Sequence, residues 1–140
     1  MSKSGKICDF GCRSGRNIKV MADLGLHIVT IDYNEECIQL VKNKLQGYKN
    51  IQYIVNKELD VPVQVCSIDC IVACESLFYL GKEDESILFA NLIKRLKPRG
   101  ILYADYRAED DHLLEKGEQI EKNHIQSDET EGHYKYYKKR

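Results

Sequence analysis

A chain of 140 residues with 21 Lys and Arg against 22 Asp and Glu carries a formal charge of -1, so no overall field draws it to nucleic acid or to an anionic membrane. By length it is one domain, able to bury roughly two-thirds of the surface its unfolded form exposes. No apolar run approaches the ~20 residues of a membrane span, and "MSKSGK" lacks the apolar stretch of a secretion signal, so the expected compartment is the cytoplasm.

Ile7 to Asp9 read as a short strand running into the Gly-rich turn "FGCRSG"; from Asn17 to Leu24, Ile18, Met21 and Ala22 recur at helical spacing, and Gly25 supplies a stop. "HIVTID", His27 to Asp32, predicts a second strand through its β-branched residues. Asn34 is a candidate N-cap for a helix whose Ile38, Val41 and Leu45 make one apolar stripe, ending near Gly47. "NIQYIV", Asn50 to Val55, is strand three. "IDCIVAC", Ile68 to Cys74, is the nearly continuous apolar run of a strand covered on both faces. Asp84 is the expected cap of a helix carrying Leu88, Leu92 and Leu96, closed by Pro98 and Gly100, and "ILYAD", Ile101 to Asp105, is strand five.

Strands alternating with helices over short connections imply right-handed βαβ units, a parallel sheet and helices on both faces. Ligands of such sheets bind beyond the carboxyl ends of the strands, where strand order reverses. From residue 108 to 140 the chain turns polar and reads as a loop, a lid or a partly disordered tail of the same domain, after a core of residues 1–107. Its last residues, "KYYKKR", read as a solvated end. The six cysteines include neither a C-x-x-C pair nor a nearby histidine, so no metal site is expected and most read as small apolar packers.

The strand ends collect the chemistry. Asp9-Phe10-Gly11, Asp32-Tyr33, Lys57-Glu58, Cys74-Glu75-Ser76 and Asp105-Tyr106-Arg107 share one edge if the sheet is parallel. Asp32 stands at a second strand tip, where a carboxylate accepts both hydroxyls of a ribose, and Tyr33 is placed to lie against an adenine. A dinucleotide turn needs G-x-G-x-x-G, but Arg13 and Arg16 leave only G-x-x-x-G. Asp9, two places before the first glycine, suits a ligand with an ammonium group and repels a pyrophosphate.

"DFGCRSGRN" is similar to the D-x-G-x-G-x-G turn of the class I S-adenosylmethionine-dependent methyltransferases. "VTIDY" resembles their ribose-binding strand end, "SIDCIVACESLFYL" their fourth strand and following loop, and "RLKPRGILYADYR" their fifth strand with the helix end before it. The resemblance implies a Rossmann-like α/β three-layer sandwich with parallel sheet order 3-2-1-4-5, lacking the last two strands usual in the family. It implies that Asp9 and the turn Gly11, Cys12, Arg13 and Gly15 face the methionine part of S-adenosylmethionine. Asp32 would bind ribose, Tyr33 would flank adenine with Glu58 the nearest substitute for an adenine-binding acid, and the carbonyl of Cys74 would take the ammonium group. Glu75, Tyr79, Tyr106 and Arg107 are the candidates to line the acceptor pocket.

The expected function is methyl transfer to a small-molecule acceptor, without nucleic-acid or membrane partners; the alternative is a truncated or non-catalytic methyltransferase-fold domain acting through a partner. The bare fifth strand is an open sheet edge, which allows a homodimer. Arg13 replaces the middle glycine of the turn. If that position needs positive φ, the side chain costs about 1–2 kcal/mol, and the guanidinium either turns outward or pairs with a carboxylate of the ligand.

Overall fold

The β-branched and apolar runs fall where the chain builds its strands: β1 (Lys6–Phe10), β2 (His27–Asp32), β3 (Ile51–Val55), β4 (Ile68–Ala73) and β5 (Leu96–Ala104). A computed structural model describes residues 4–108, 117–121, 124–127 and 133–137. The five strands form one sheet in the order β3-β2-β1-β4-β5, and every neighbouring pair is parallel. This is the expected order. It reverses between β1 and β4, which places the ligand crevice of such a sheet beyond those two tips.

Each sheet face is covered by helices of matching period. α1 (Ile18–Asp23) and α2 (Glu35–Lys44) bury Ile18, Ala22, Ile38 and Val41 against Ile28. On the opposite face α3 (Lys82–Arg95) buries Leu88 and Leu92 with Cys8, Val29, Ile31, Ile68 and Ile71. Asn34 caps α2 as expected, its side chain accepting the Glu36 amide at 2.8 Å. Arg95, buried at the end of α3, donates to the Val61 carbonyl and to Asp60, tying the loop after β3 to the end of that helix.

Two boundaries differ from the sequence expectation. α3 starts at Lys82 after Gly81, so Asp84 stands inside its first turn, where a negative charge favours the helix dipole without capping it. The helix also ends at Arg95, because Leu96 already pairs with Ile68; Pro98 to Gly100 then form an irregularity in β5, with Arg99 at φ 66°, before Ile101 pairs with Cys70. A strand thus begins before the proline expected to close a helix.

β5 is an edge of this sheet among the described residues, with Ile101 and Tyr103 exposed. In the polar segment expected as a loop, lid or tail, the described residues are strands. β6 (Arg107–Ala108), β7 (Gly117–Glu121), β8 (His124–Ser127) and β9 (His133–Tyr137) make a second sheet, β6-β9-β8-β7. β9 runs beside a 3-10 turn at Leu77–Tyr79, on the rim of the crevice.

Candidate functional site

The turn after β1 uses the left-handed region at every second residue: Gly11 at φ 76°, Arg13 at φ 47° and Gly15 at φ 75°. Arg13 therefore occupies a glycine-type position at a cost of about 1–2 kcal/mol. The turn is bound to β2 through the Ile31 carbonyl, which accepts the Gly11 amide at 2.8 Å and the Cys12 amide at 3.4 Å. A Cβ on Gly11 would lie 2.4 Å from the Ser76 Cβ, and one on Gly15 would lie 2.9 Å from a Val41 methyl. The first glycine thus lets the turn after β4 approach, and the last lets α2 approach.

Two carboxylates stand beneath the turn. Asp32 accepts the Arg13 amide at 3.0 Å on one oxygen and the Asn34 amide at 2.9 Å on the other, joining the tip of β2 to the turn after β1. Asp9 is only 4% exposed, yet among the described residues no hydrogen bond reaches its carboxylate. Burial, with the charge of Asp32 added, pushes the Asp9 carboxyl up from the ordinary 3.8 to about 6. A buried acid in that condition is stabilised by any cation brought beside it.

A cleft of about 190 Å³ opens above Asp9, lined also by Gly11, Cys12, Arg13, Cys74 and Glu75. Across its mouth the Arg13 guanidinium donates to the Glu75 carboxylate at 3.0 Å and to the Tyr79 hydroxyl, and it lies 5.2 Å from the Tyr79 ring centre. Glu75 is itself at φ 50°, and its amide donates to the carboxylate of Asp105 at the end of β5. The ends of β1, β2, β4 and β5 are thus linked through Asp32, Arg13, Glu75 and Asp105. Burial pushes the Cys12 thiol up to about 12 and raises that of Cys74, so both stay neutral.

Of the residues singled out in the sequence, Asp9, Gly11, Cys12, Arg13, Cys74 and Glu75 line one cleft, and Tyr79 reaches its rim through Arg13. Gly15 lies outside the lining and packs on α2, while Asp32 sits behind the turn and shapes it. Tyr33 is 73% exposed. Glu58 is exposed in a loop organised by Asn56, whose side chain accepts the Glu58 amide. Tyr106 packs against the α3-side core, and Arg107 stands in β6, its side chain outside the described residues. Ser14, Arg16 and Asn17 complete the lining, and Asp105 holds Glu75; only their places beside the glycine turn and at a strand end marked them in the sequence.

A family model for the methyltransferase domain matches residues 8–104, from β1 to the end of β5. The chain belongs to the methyltransferase-domain family. Within it, the chain is 27% identical over 107 residues to YqeM of Bacillus subtilis (strain 168); the match takes in 75% of this chain and 43% of YqeM. The chain therefore spans less than half the length of that relative. Among solved structures, an S-adenosylmethionine-dependent methyltransferase from Methanosarcina mazei superposes with a TM-score of 0.83 at 20% identity, over 99% of this chain and 75% of that one. PKMT2 from Rickettsia typhi, solved in complex with AdoHcy, matches with a TM-score of 0.68 at 20% identity, over 79% of this chain and 22% of its own. The expected class I methyltransferase family and fold are those observed.

Proposed function

We propose that the cleft binds S-adenosylmethionine and that the chain transfers its methyl group to a small-molecule acceptor. The observation that carries this reading is Asp9: a buried carboxylate, short of donors, at the topological switch point of a methyltransferase fold. The cofactor brings a cationic sulfonium and an ammonium group, and it supplies an electrophilic methyl for direct attack by a nucleophile. Asp9 and the Cys74 carbonyl would hold the ammonium end, Asp32 the ribose and Tyr33 the adenine. Glu75, Tyr79 and Tyr106, with Arg107, would face the acceptor and orient it, since positioning supplies most of the help such a transfer needs.

A balanced net charge and a small cleft support a small acceptor over a nucleic acid, and six free thiols suit the reducing cytoplasm. The clasp of Arg13 on Glu75 and Tyr79 favours a second reading, a methyltransferase-fold domain that does not turn over. Calorimetric titration tests the cofactor reading, and release of S-adenosylhomocysteine in the presence of candidate acceptors tests turnover. Micromolar binding of S-adenosylmethionine, with no response to NAD, is the expected result; absence of heat with the methyl donor overturns the cofactor reading.

A further inference from the structure

Arg13 reaches across the cleft from the turn after β1 to Glu75 and Tyr79 in the segment after β4. Its backbone and that of Glu75 are both held at positive φ, 47° and 50°, which aims the two side chains at each other. Their ion pair is half-exposed on each side, so solvent screens it and it is cheap to open. The guanidinium lines the cleft and is bound to a carboxylate, the group for which its planar fork is best matched. It therefore stands where an incoming anion can take over the place of Glu75.

We propose that Arg13 is an exchangeable carboxylate anchor: Glu75 and Tyr79 hold its guanidinium while the cleft is free, and the α-carboxylate of a bound amino-acid nucleoside displaces Glu75. The inference rests on the cofactor reading above and extends it to a selectivity. Ligands that keep the amino-acid part gain the Arg13 contact, and ligands that lack it do not. The exchange is a change of ion-pair partner with no covalent step, so no proton or electron moves. Arg16, which also lines the cleft, provides the control, because it is on the same turn and carries the same charge without joining the clasp.

The test is calorimetric titration of the full chain and its Arg13→Gln, Glu75→Gln and Arg16→Gln variants with S-adenosylhomocysteine and with 5′-methylthioadenosine, which has no amino-acid part. Glu75→Gln should bind S-adenosylhomocysteine several-fold more tightly, and Arg13→Gln should bind it about tenfold more weakly, the scale of one half-exposed charge-assisted bond. Arg13→Gln should leave 5′-methylthioadenosine unchanged or tighter. Equal tightening of both nucleosides by Arg13→Gln makes the residue an obstruction and overturns the exchange, as does a loss that appears in Arg16→Gln and not in Arg13→Gln. If neither nucleoside binds any of the four proteins, the cofactor reading itself fails and takes the anchor with it. Arg13→Lys, which keeps the charge, should recover part of the lost affinity; circular dichroism of each variant confirms that the fold is intact.

Discussion

Asp9 and Asp32 lie on the same face of the sheet at the tips of adjacent parallel strands, Asp9 paired in register with Thr30, two residues before Asp32. The burial of Asp9, with the nearby charge of Asp32 added, raises its carboxyl from 3.8 to about 6. The folded chain thus binds this proton more tightly than the unfolded chain does. Below about pH 4 the group costs nothing; its cost grows as pH rises through 6 and is complete at pH 7, where about 1.4 kcal/mol per pH unit makes it about 3 kcal/mol. Asp9→Asn should therefore stabilise the protein at pH 7 and leave it nearly unchanged at pH 4. Urea unfolding of both proteins at the two pH values measures the difference, and a difference independent of pH would show that ionisation of Asp9 is not its source.

The same residue sets a pH dependence for ligand binding. A cation beside Asp9 favours the ionised form, so S-adenosylmethionine should bind more weakly as pH falls through 6. With a carboxyl titrating at about 6, the dissociation constant at pH 5 should be about tenfold that at pH 7. Calorimetry at both pH values in Asp9→Asn should lose that dependence. A wild-type affinity that does not vary over this range would remove Asp9 from the ammonium end of the cleft.

Gly15 and Gly25 share a φ of 75° but differ in surroundings: a Cβ on Gly25 meets nothing within 4 Å, whereas one on Gly15 meets Val41 at 2.9 Å. Gly25→Ala carries the backbone term alone, about 1–2 kcal/mol. Gly15→Ala adds overpacking against α2, for a total of about 2–5 kcal/mol. Equal losses in chemical denaturation would mean that α2 yields freely and that the last glycine of the turn is there only for its φ.

The sheet is legible in the sequence because its signals are local. "HIVTID" gives the bounds of β2 outright, and Asn34 announces α2 two residues later. The candidate site is legible only as far as strand ends can be aligned, which brings Asp9, Gly11, Cys74 and Glu75 to one crevice. What Arg13 does is not legible, because its partners lie 62 and 66 residues away and the choice between ligand, solvent and protein carboxylate is made by tertiary geometry. The start of β5 is hidden for a related reason: Pro98 is a strong local stop, yet pairing of Leu96 with Ile68 recruits the residues before it into the sheet.

The irregularity that resolves this conflict carries its own strain. Arg99 is exposed, sits at φ 66°, and its side chain makes no hydrogen bond or ion pair among the described residues. Arg99→Gly removes the left-handed penalty without removing a contact, and should raise stability by about 1 kcal/mol in urea unfolding. A loss of stability would show that the side chain has a partner that offsets the strain.

Asp32 is the test of whether the crevice depends on its second strand tip. Each of its oxygens takes one backbone amide, from Arg13 at 3.0 Å and from Asn34 at 2.9 Å, and the residue is 5% exposed. Asn at this position has one acceptor oxygen, so Asp32→Asn leaves one of the two amides facing an NH₂ group, a loss of about 1–3 kcal/mol. The Arg13 amide is the more consequential loss, since it fixes the turn whose guanidinium crosses the cleft. Asp32→Asn should therefore lower the thermal midpoint and weaken S-adenosylmethionine more than tenfold, while Tyr33→Ala, at an exposed side chain, should spare stability and touch binding alone. If Asp32→Asn lowers stability yet leaves affinity intact, Asp32 is a brace for the turn and the ribose must be held elsewhere.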